Sequence, residues 1–156
     1  NNYQKERFAK KIMKSLYGTV SGKKITLLGW AFKKNTNDTR ESAAIYIADL
    51  LIENGAKIFV YDPKVNKQQM LNDLDYLNTR SSAENKNSLT YCDEPYIACQ
   101  DSHAIAVITE WDEFKSFDWE RIYKSVMKPG KVFDGRNILD VKSLEKIGFE
   151  VYSIGK

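Results

Sequence analysis

The sequence predicts an α/β domain, and three observations carry that prediction. Short runs rich in Val, Ile and Phe alternate with helix-like stretches, the breaks between them are brief, and charged or aromatic residues cluster just after the strand-like runs. Alternation of this kind places mostly parallel strands in one sheet with helices on both faces, three layers in all.

The elements follow in order. In residues 2–17 Phe8, Ile12 and Leu16 recur every fourth position with Ala9 and Met13 alongside, which makes one apolar face of an amphipathic helix, while Lys5, Arg7, Lys10, Lys11 and Lys14 cover the rest. "KKITLLGWAF" predicts the first strand, "RESAAIYIADLLIENG" a helix closed by Gly55, and "AKIFVYDP" a second strand stopped by Pro63. Residues 64–87 are polar and weakly patterned, an excursion with one helix around "NKQQMLNDL". Then come a strand "LTY", a helix over "EPYIACQ", a strand "AIAVIT", a helix near "DWERIYKSVM", a strand "KVFDG", a short helix "DVKSLEKIG" and a last strand "FEVYSI".

Composition bounds the rest. The chain has 156 residues, 42% of them hydrophobic, enough for one well-buried core. It begins at Asn1 without a methionine, as a piece of a longer polypeptide would. No apolar run approaches the roughly 18 residues of a membrane span, and no start resembles a secretion signal, so a soluble protein is expected. Cys92 and Cys99 are too few for a disulfide framework and His103 has no ligand partners nearby, which predicts no metal and a reducing, cytoplasmic setting. All three read as core or helix-end residues rather than chemical groups. Net charge is only +3, yet residues 1–34 hold nine Lys or Arg against one acid. The basic amphipathic helix is compatible with an anionic membrane or nucleic acid. The expectation is that it docks through its apolar stripe and leaves its lysines solvated.

In open parallel sheets ligands bind beyond the carboxyl ends of the strands. Four such ends stand out: "GWAFKK", "VYDPK", "ITEWDEF" and "FDGRN". They bring Lys33, Lys34, Arg40 and Arg136, and Asp38 with Glu41 three residues on reads as the N-terminal cap of the next helix. Cations beside a helix start predict a phosphorylated ligand. Gly135 can adopt positive φ and let backbone approach that ligand closely, and Phe32 offers a stacking surface. Asp62 reads as a turn cap. The chain has no G-x-G-x-x-G, no phosphate-binding loop and no nucleophile paired with a base, so the domain is built to hold a nucleotide rather than transform one.

Together "GWAFKKNTNDTRES", "YDPKV", "TEWDEF" and "VFDGRNILD" resemble the C-terminal UDP-sugar-binding domain of the UDP-glucose/GDP-mannose dehydrogenase family, in order over essentially the whole chain. The resemblance implies a Rossmann-like domain over residues 21–156, with residues 1–20 the end of a helix that connects it to a central region and an N-terminal NAD-binding domain. It implies an NAD-dependent oxidation of UDP-glucose to UDP-glucuronate, with UDP-N-acetylmannosamine and GDP-mannose the substrates of other members. A non-catalytic nucleotide-binding or assembly domain is the alternative. Phe32, Lys33 and Arg136 match substrate-binding residues of the family, and Arg40 matches an arginine that contacts NAD. The family's catalytic cysteine lies in a "GGSCF"-like motif. Neither Cys92 in "TYCDEP" nor Cys99 in "IACQDS" has those surroundings, so no catalytic residue and no activity are expected of this chain alone. The resemblance further implies a homo-oligomer, dimer or hexamer, with no nucleic-acid or membrane partner.

Overall fold

The computed structural model describes residues 2–153. Its elements run α1 (Asn2–Ser15), β1 (Lys24–Leu28), α2 (Ala43–Glu53), β2 (Lys57–Tyr61), α3 (Lys67–Leu77), α4 (Ser82–Ser88), β3 (Leu89–Tyr91), α5 (Pro95–Cys99), β4 (Ala104–Val107), a 3₁₀ turn at Asp112–Ser116, α6 (Trp119–Ser125), β5 (Lys131–Asp134), α7 (Val141–Ile147) and β6 (Glu150–Ser153). The six strands form one sheet in the order β3-β2-β1-β4-β5-β6. Every pairing is parallel. This is the doubly wound arrangement, in which the direction of travel reverses between β1 and β4 and opens a crevice there. Ile154, the end of the strand expected at "FEVYSI", lies outside the described residues.

Right-handed crossovers place α2, α3 and α4 on one face and α5, α6 and α7 on the other. The central strands are therefore buried on both sides, β4 and β5 along their whole length. Polar side chains inside the sheet are satisfied locally. Thr26 donates to the carbonyl of Ala98 at 2.6 Å, and buried Lys131 reaches Glu150 at 2.7 Å.

The basic helix docks as its stripe predicts. Phe8, Ala9, Ile12 and Leu16 of α1 are buried, α1 packs beside α2, and the Phe8 ring meets Phe133 of β5 edge-on at 6.4 Å. Burying a side chain such as Phe8 stabilises by about 1.5–3 kcal/mol. That holds α1 over the β5 side of the sheet, which α2 does not cover. Lys10 pairs with Glu6 one turn away, at 2.8 Å on the exposed face.

Three details depart from the sequence expectations. β1 ends at Leu28, not at Phe32, because Gly29 turns the chain with φ +101° and the next amides bond away from the sheet. Residues 64–87 hold two helices instead of one. The second, α4, starts at a capping box in which Ser81 and Glu84 each accept from the other's backbone amide. The cap of α2 is Ser42, whose hydroxyl accepts from Ala44, and neither Asp38 nor Glu41 caps it. At the far end of α2 Asn54 is the C-cap and Gly55, at φ +90°, lets the chain turn.

Candidate functional site

The loops after β1, β2, β4 and β5 meet at the carboxyl edge of the sheet, and a hydrogen-bond web fixes them to one another. Its centre is Asp62, 2% exposed at the end of β2. Its Oδ2 accepts from the amides of Trp30 at 2.7 Å and Ala31 at 3.0 Å and from the Trp111 indole at 3.2 Å. Its Oδ1 accepts from the amides of Lys64 at 2.8 Å and Val65 at 3.1 Å. Asp62 is thus the turn cap the sequence suggests, and it also ties three strand ends together. Both of its oxygens are taken inside the protein.

Gly29 shows why the first loop needs glycine. Besides its positive φ, a Cβ there would overlap the Thr109 side chain, which donates to the carbonyl of Ala31 at 2.8 Å. Trp30, fully buried, donates its indole N–H to Asp73 at 2.9 Å, and its carbonyl accepts from the Ser42 hydroxyl at 2.6 Å. The start of α2 is thereby locked to the end of β1.

Beyond this frame stand the predicted site residues. Phe32 is 47% exposed, with its amide on the carbonyl of Asp38. Lys33 is exposed and has no hydrogen bond or ion pair among the described residues. Lys34 donates its amide to Glu110 at 3.0 Å and pairs weakly with Asp112 at 3.5 Å. Arg136 follows β5, where Asp134 turns the chain by accepting from the amides of Arg136 and Leu139. The Arg136 guanidinium donates to Glu110 at 2.7 Å. The loops after β1 and β5 therefore share one carboxylate. Arg136 also stands at a hollow of about 330 Å³ lined by Lys5, Phe8, Ala43, Ile47 and Gly135, beside the β1/β4 crevice.

Gly135 does not use the positive φ that is open to it. It is needed for closeness instead: a Cβ would lie 2.8 Å from the carbonyl oxygen of Val107 and would touch the Phe8 ring.

Arg40 is not brought to this group. It lies before α2, not inside it, in a turn where Glu41 has φ +62°. It lines a separate hollow of about 600 Å³ with Thr39, Ile45, Tyr46, Asp73 and Tyr76. Its guanidinium grips Asp38 with two bonds, at 3.1 and 2.8 Å, and its amide bonds the same carboxylate. The Arg40 hydrogen bond holds the Asp38 carboxyl down at about 2. The Arg40 side chain is nonetheless 89% exposed.

The remaining chemical groups are occupied or inert. Burial pushes the Cys99 thiol up to about 12 and raises Cys92 as well. His103 accepts from the amide of Lys24 and is held below the usual imidazole range, by burial first and by the Lys23 charge next. Among the described residues no cluster of three metal-ligating side chains occurs, and no helix is long and apolar enough to cross a membrane. Sequence reasoning missed Glu110, whose only signal is its place after β4.

Comparison with known proteins bears on this edge. Residues 26–141 match the UDP binding domain of the UDP-glucose/GDP-mannose dehydrogenase family. The whole chain aligns at 50% identity with UDP-glucose 6-dehydrogenase of Drosophila melanogaster and covers 33% of it. The chain thus spans about a third of the length of the curated relatives it matches. Among solved structures, an NDP-N-acetyl-D-galactosaminuronic acid dehydrogenase from Methanosarcina mazei superposes with TM-score 0.76 at 22% identity, over 99% of this chain and 29% of that one. A UDP-glucose dehydrogenase from Pyrobaculum islandicum superposes with TM-score 0.67 at 26% identity, over 97% of this chain and 29% of that one. The first of these shows the shared fold.

Proposed function

The chain belongs to the UDP-glucose/GDP-mannose dehydrogenase family, as its UDP-binding domain, and from that premise we propose that it is the UDP-sugar-binding part of an NAD-dependent UDP-glucose 6-dehydrogenase. One observation carries the reading. Lys33 and Arg136, on loops after β1 and β5, carry cationic groups at one sheet edge, and Glu110 links the two loops through the Lys34 amide and the Arg136 guanidinium. A nucleotide diphosphate presents the matching negative charge, and a charge-assisted hydrogen bond to it is among the stronger kinds.

The roles follow from exposure. Lys33, solvated and unpaired among the described residues, bonds a phosphate or sugar oxygen as a point charge. Arg136 uses one N–H on Glu110, which leaves the rest of its planar fork for substrate. Phe32 shields the ligand from water on the β1 side. Arg40 fits a place at the cofactor: its guanidinium is exposed and paired only with a neighbouring carboxylate, from which an oxidised dinucleotide's pyrophosphate can draw it. NAD, when bound, would supply the hydride acceptor, and the Arg40 guanidinium would hold its pyrophosphate. Residues 1–20, which contain α1, belong to the connecting segment and 21–156 to the sugar-binding unit. Neither cysteine serves as nucleophile, since burial disfavours both thiolates. The chain by itself is therefore expected to reduce no NAD, and the complete enzyme to act as a homo-oligomer in the cytoplasm.

Calorimetric titration of the complete enzyme tests this. UDP is expected to give heat and duplex DNA none. Lys33→Ala and Arg136→Ala each remove a bond worth about 1.5–3 kcal/mol, so UDP-glucose affinity should fall roughly ten- to a hundredfold. Unchanged affinity in both variants, or heat with DNA alone, overturns the reading.

A further inference from the structure

Glu110 lies in the loop after β4, between the two segments assigned to substrate, and serves both at once. Its Oε1 accepts from the backbone amide of Lys34 at 3.0 Å, and its Oε2 accepts from Arg136 Nη2 at 2.7 Å. Its side chain is 25% exposed and that of Arg136 37%, so the pair is partly shielded from solvent. The strand ends beneath it are fixed: Thr109, the preceding residue, is buried and bonded to Ala31, and Trp111, the following one, is buried and bonded to Asp62. Glu110 thus stands on a rigid base between two exposed, cationic loops.

We infer that Glu110 is a positioning residue for the nucleotide sugar: one carboxylate sets the spacing between the Phe32-Lys33 segment and Arg136 before substrate arrives. This rests on the UDP-binding reading above. The anchor on Lys34 is to backbone, so it fixes the course of the loop that presents Lys33 rather than merely pairing a charge. The anchor on Arg136 engages a single N–H and orders a long side chain in advance. Ordering that is complete before binding is not charged against affinity. A carboxylate that merely competed with substrate phosphates for Arg136 would need no bond to Lys34.

The test is a double-mutant cycle on UDP affinity in the complete enzyme, with Glu110→Ala, Arg136→Ala and the pair. Positioning predicts that Glu110→Ala weakens UDP binding about tenfold or more with Arg136 present. It predicts a much smaller effect once Arg136 is already Ala, because one link in the chain of action is gone. The Michaelis constant for UDP-glucose should rise with Glu110→Ala while that for NAD stays put, a split that general loosening of the fold would not give. Glu110→Gln keeps the shape and one acceptor and should lie between wild type and Ala. Tighter UDP binding in Glu110→Ala, unchanged binding, or effects that multiply fully across the cycle overturn the inference. Absence of UDP heat with the wild-type enzyme fails the binding reading itself, and this inference with it.

Discussion

Replacing Asp62 by Ala should cost the fold more than any other single change at this edge. The carboxylate accepts five N–H donors, from Trp30, Ala31, Lys64, Val65 and the Trp111 indole. Four of these bonds are buried, and only the one from Lys64 is partly open. A buried donor left without a partner costs about 1–3 kcal/mol. Four at the low end give about 4 kcal/mol, and relaxation of the loops to admit water keeps the sum from reaching the upper end. Against a typical stability of about 5–15 kcal/mol that loss is large. For a chain of this size it lowers Tm by about 8–16 °C. Asp62→Asn should fare little better, since its amide N–H₂ would replace an oxygen among donors. A far-UV circular dichroism melt of the chain measures the shift. A drop below about 3 °C in Asp62→Ala refutes the claim that this carboxylate holds the edge together.

Other outcomes follow from the same geometry. Arg40→Ala in the complete enzyme should raise the Michaelis constant for NAD far more than that for UDP-glucose; if both stay put and only Tm drops, Arg40 is a partner of Asp38 and nothing more. Because Arg40 depresses the Asp38 carboxyl, the pair's contribution is fully present above the ordinary carboxylate midpoint of ~3.9 and is lost as pH falls below it and through a folded-state midpoint of about 2. Carbon-detected NMR titration should place Asp38 there in wild type and return it toward ~3.9 in Arg40→Ala, and an unmoved midpoint contradicts the pairing. Cys92 and Cys99, buried with raised thiols, should react with iodoacetamide at pH 8 far more slowly than in denatured chain, and fast labelling of either contradicts their burial. Gly29→Ala should destabilise markedly, since the residue combines φ +101° with Thr109 in the way of a side chain, and a melt unchanged from wild type would show that the loop can re-form around a Cβ.

The order of strands and helices was legible because a parallel sheet buries its central strands on both faces, leaving continuous apolar runs such as "AIAV" that contrast with polar breaks. The docked α1 was legible for a related reason: an apolar stripe needs a surface to cover. α4 was not, since Asn85 alone is buried along it and no apolar periodicity marks it; its signal is the capping box at Ser81 and Glu84. The start of α2 was misread because Asp38 and Glu41 have the composition of a cap, yet the chain turns at Glu41 and the cap falls to Ser42, whose hydroxyl is anchored on Trp30. At the site, the sequence places cations after strands but says nothing about which ones meet. Arg136 and the Lys33 loop converge through Glu110, a residue distant from both in sequence, while Arg40 faces another hollow. Such convergence belongs to the sheet topology, which brings β1, β4 and β5 side by side.

The central claim, that the carboxyl edge around β1, β4 and β5 receives the UDP-sugar, is tested most directly by a crystal structure of the complete enzyme with UDP-glucose bound. The account predicts substrate oxygens within about 3 Å of Lys33 Nζ and of the Arg136 guanidinium, with Glu110 still bridging Arg136 and the Lys34 amide. A UDP-sugar seated elsewhere, with both cations still facing solvent, would contradict it.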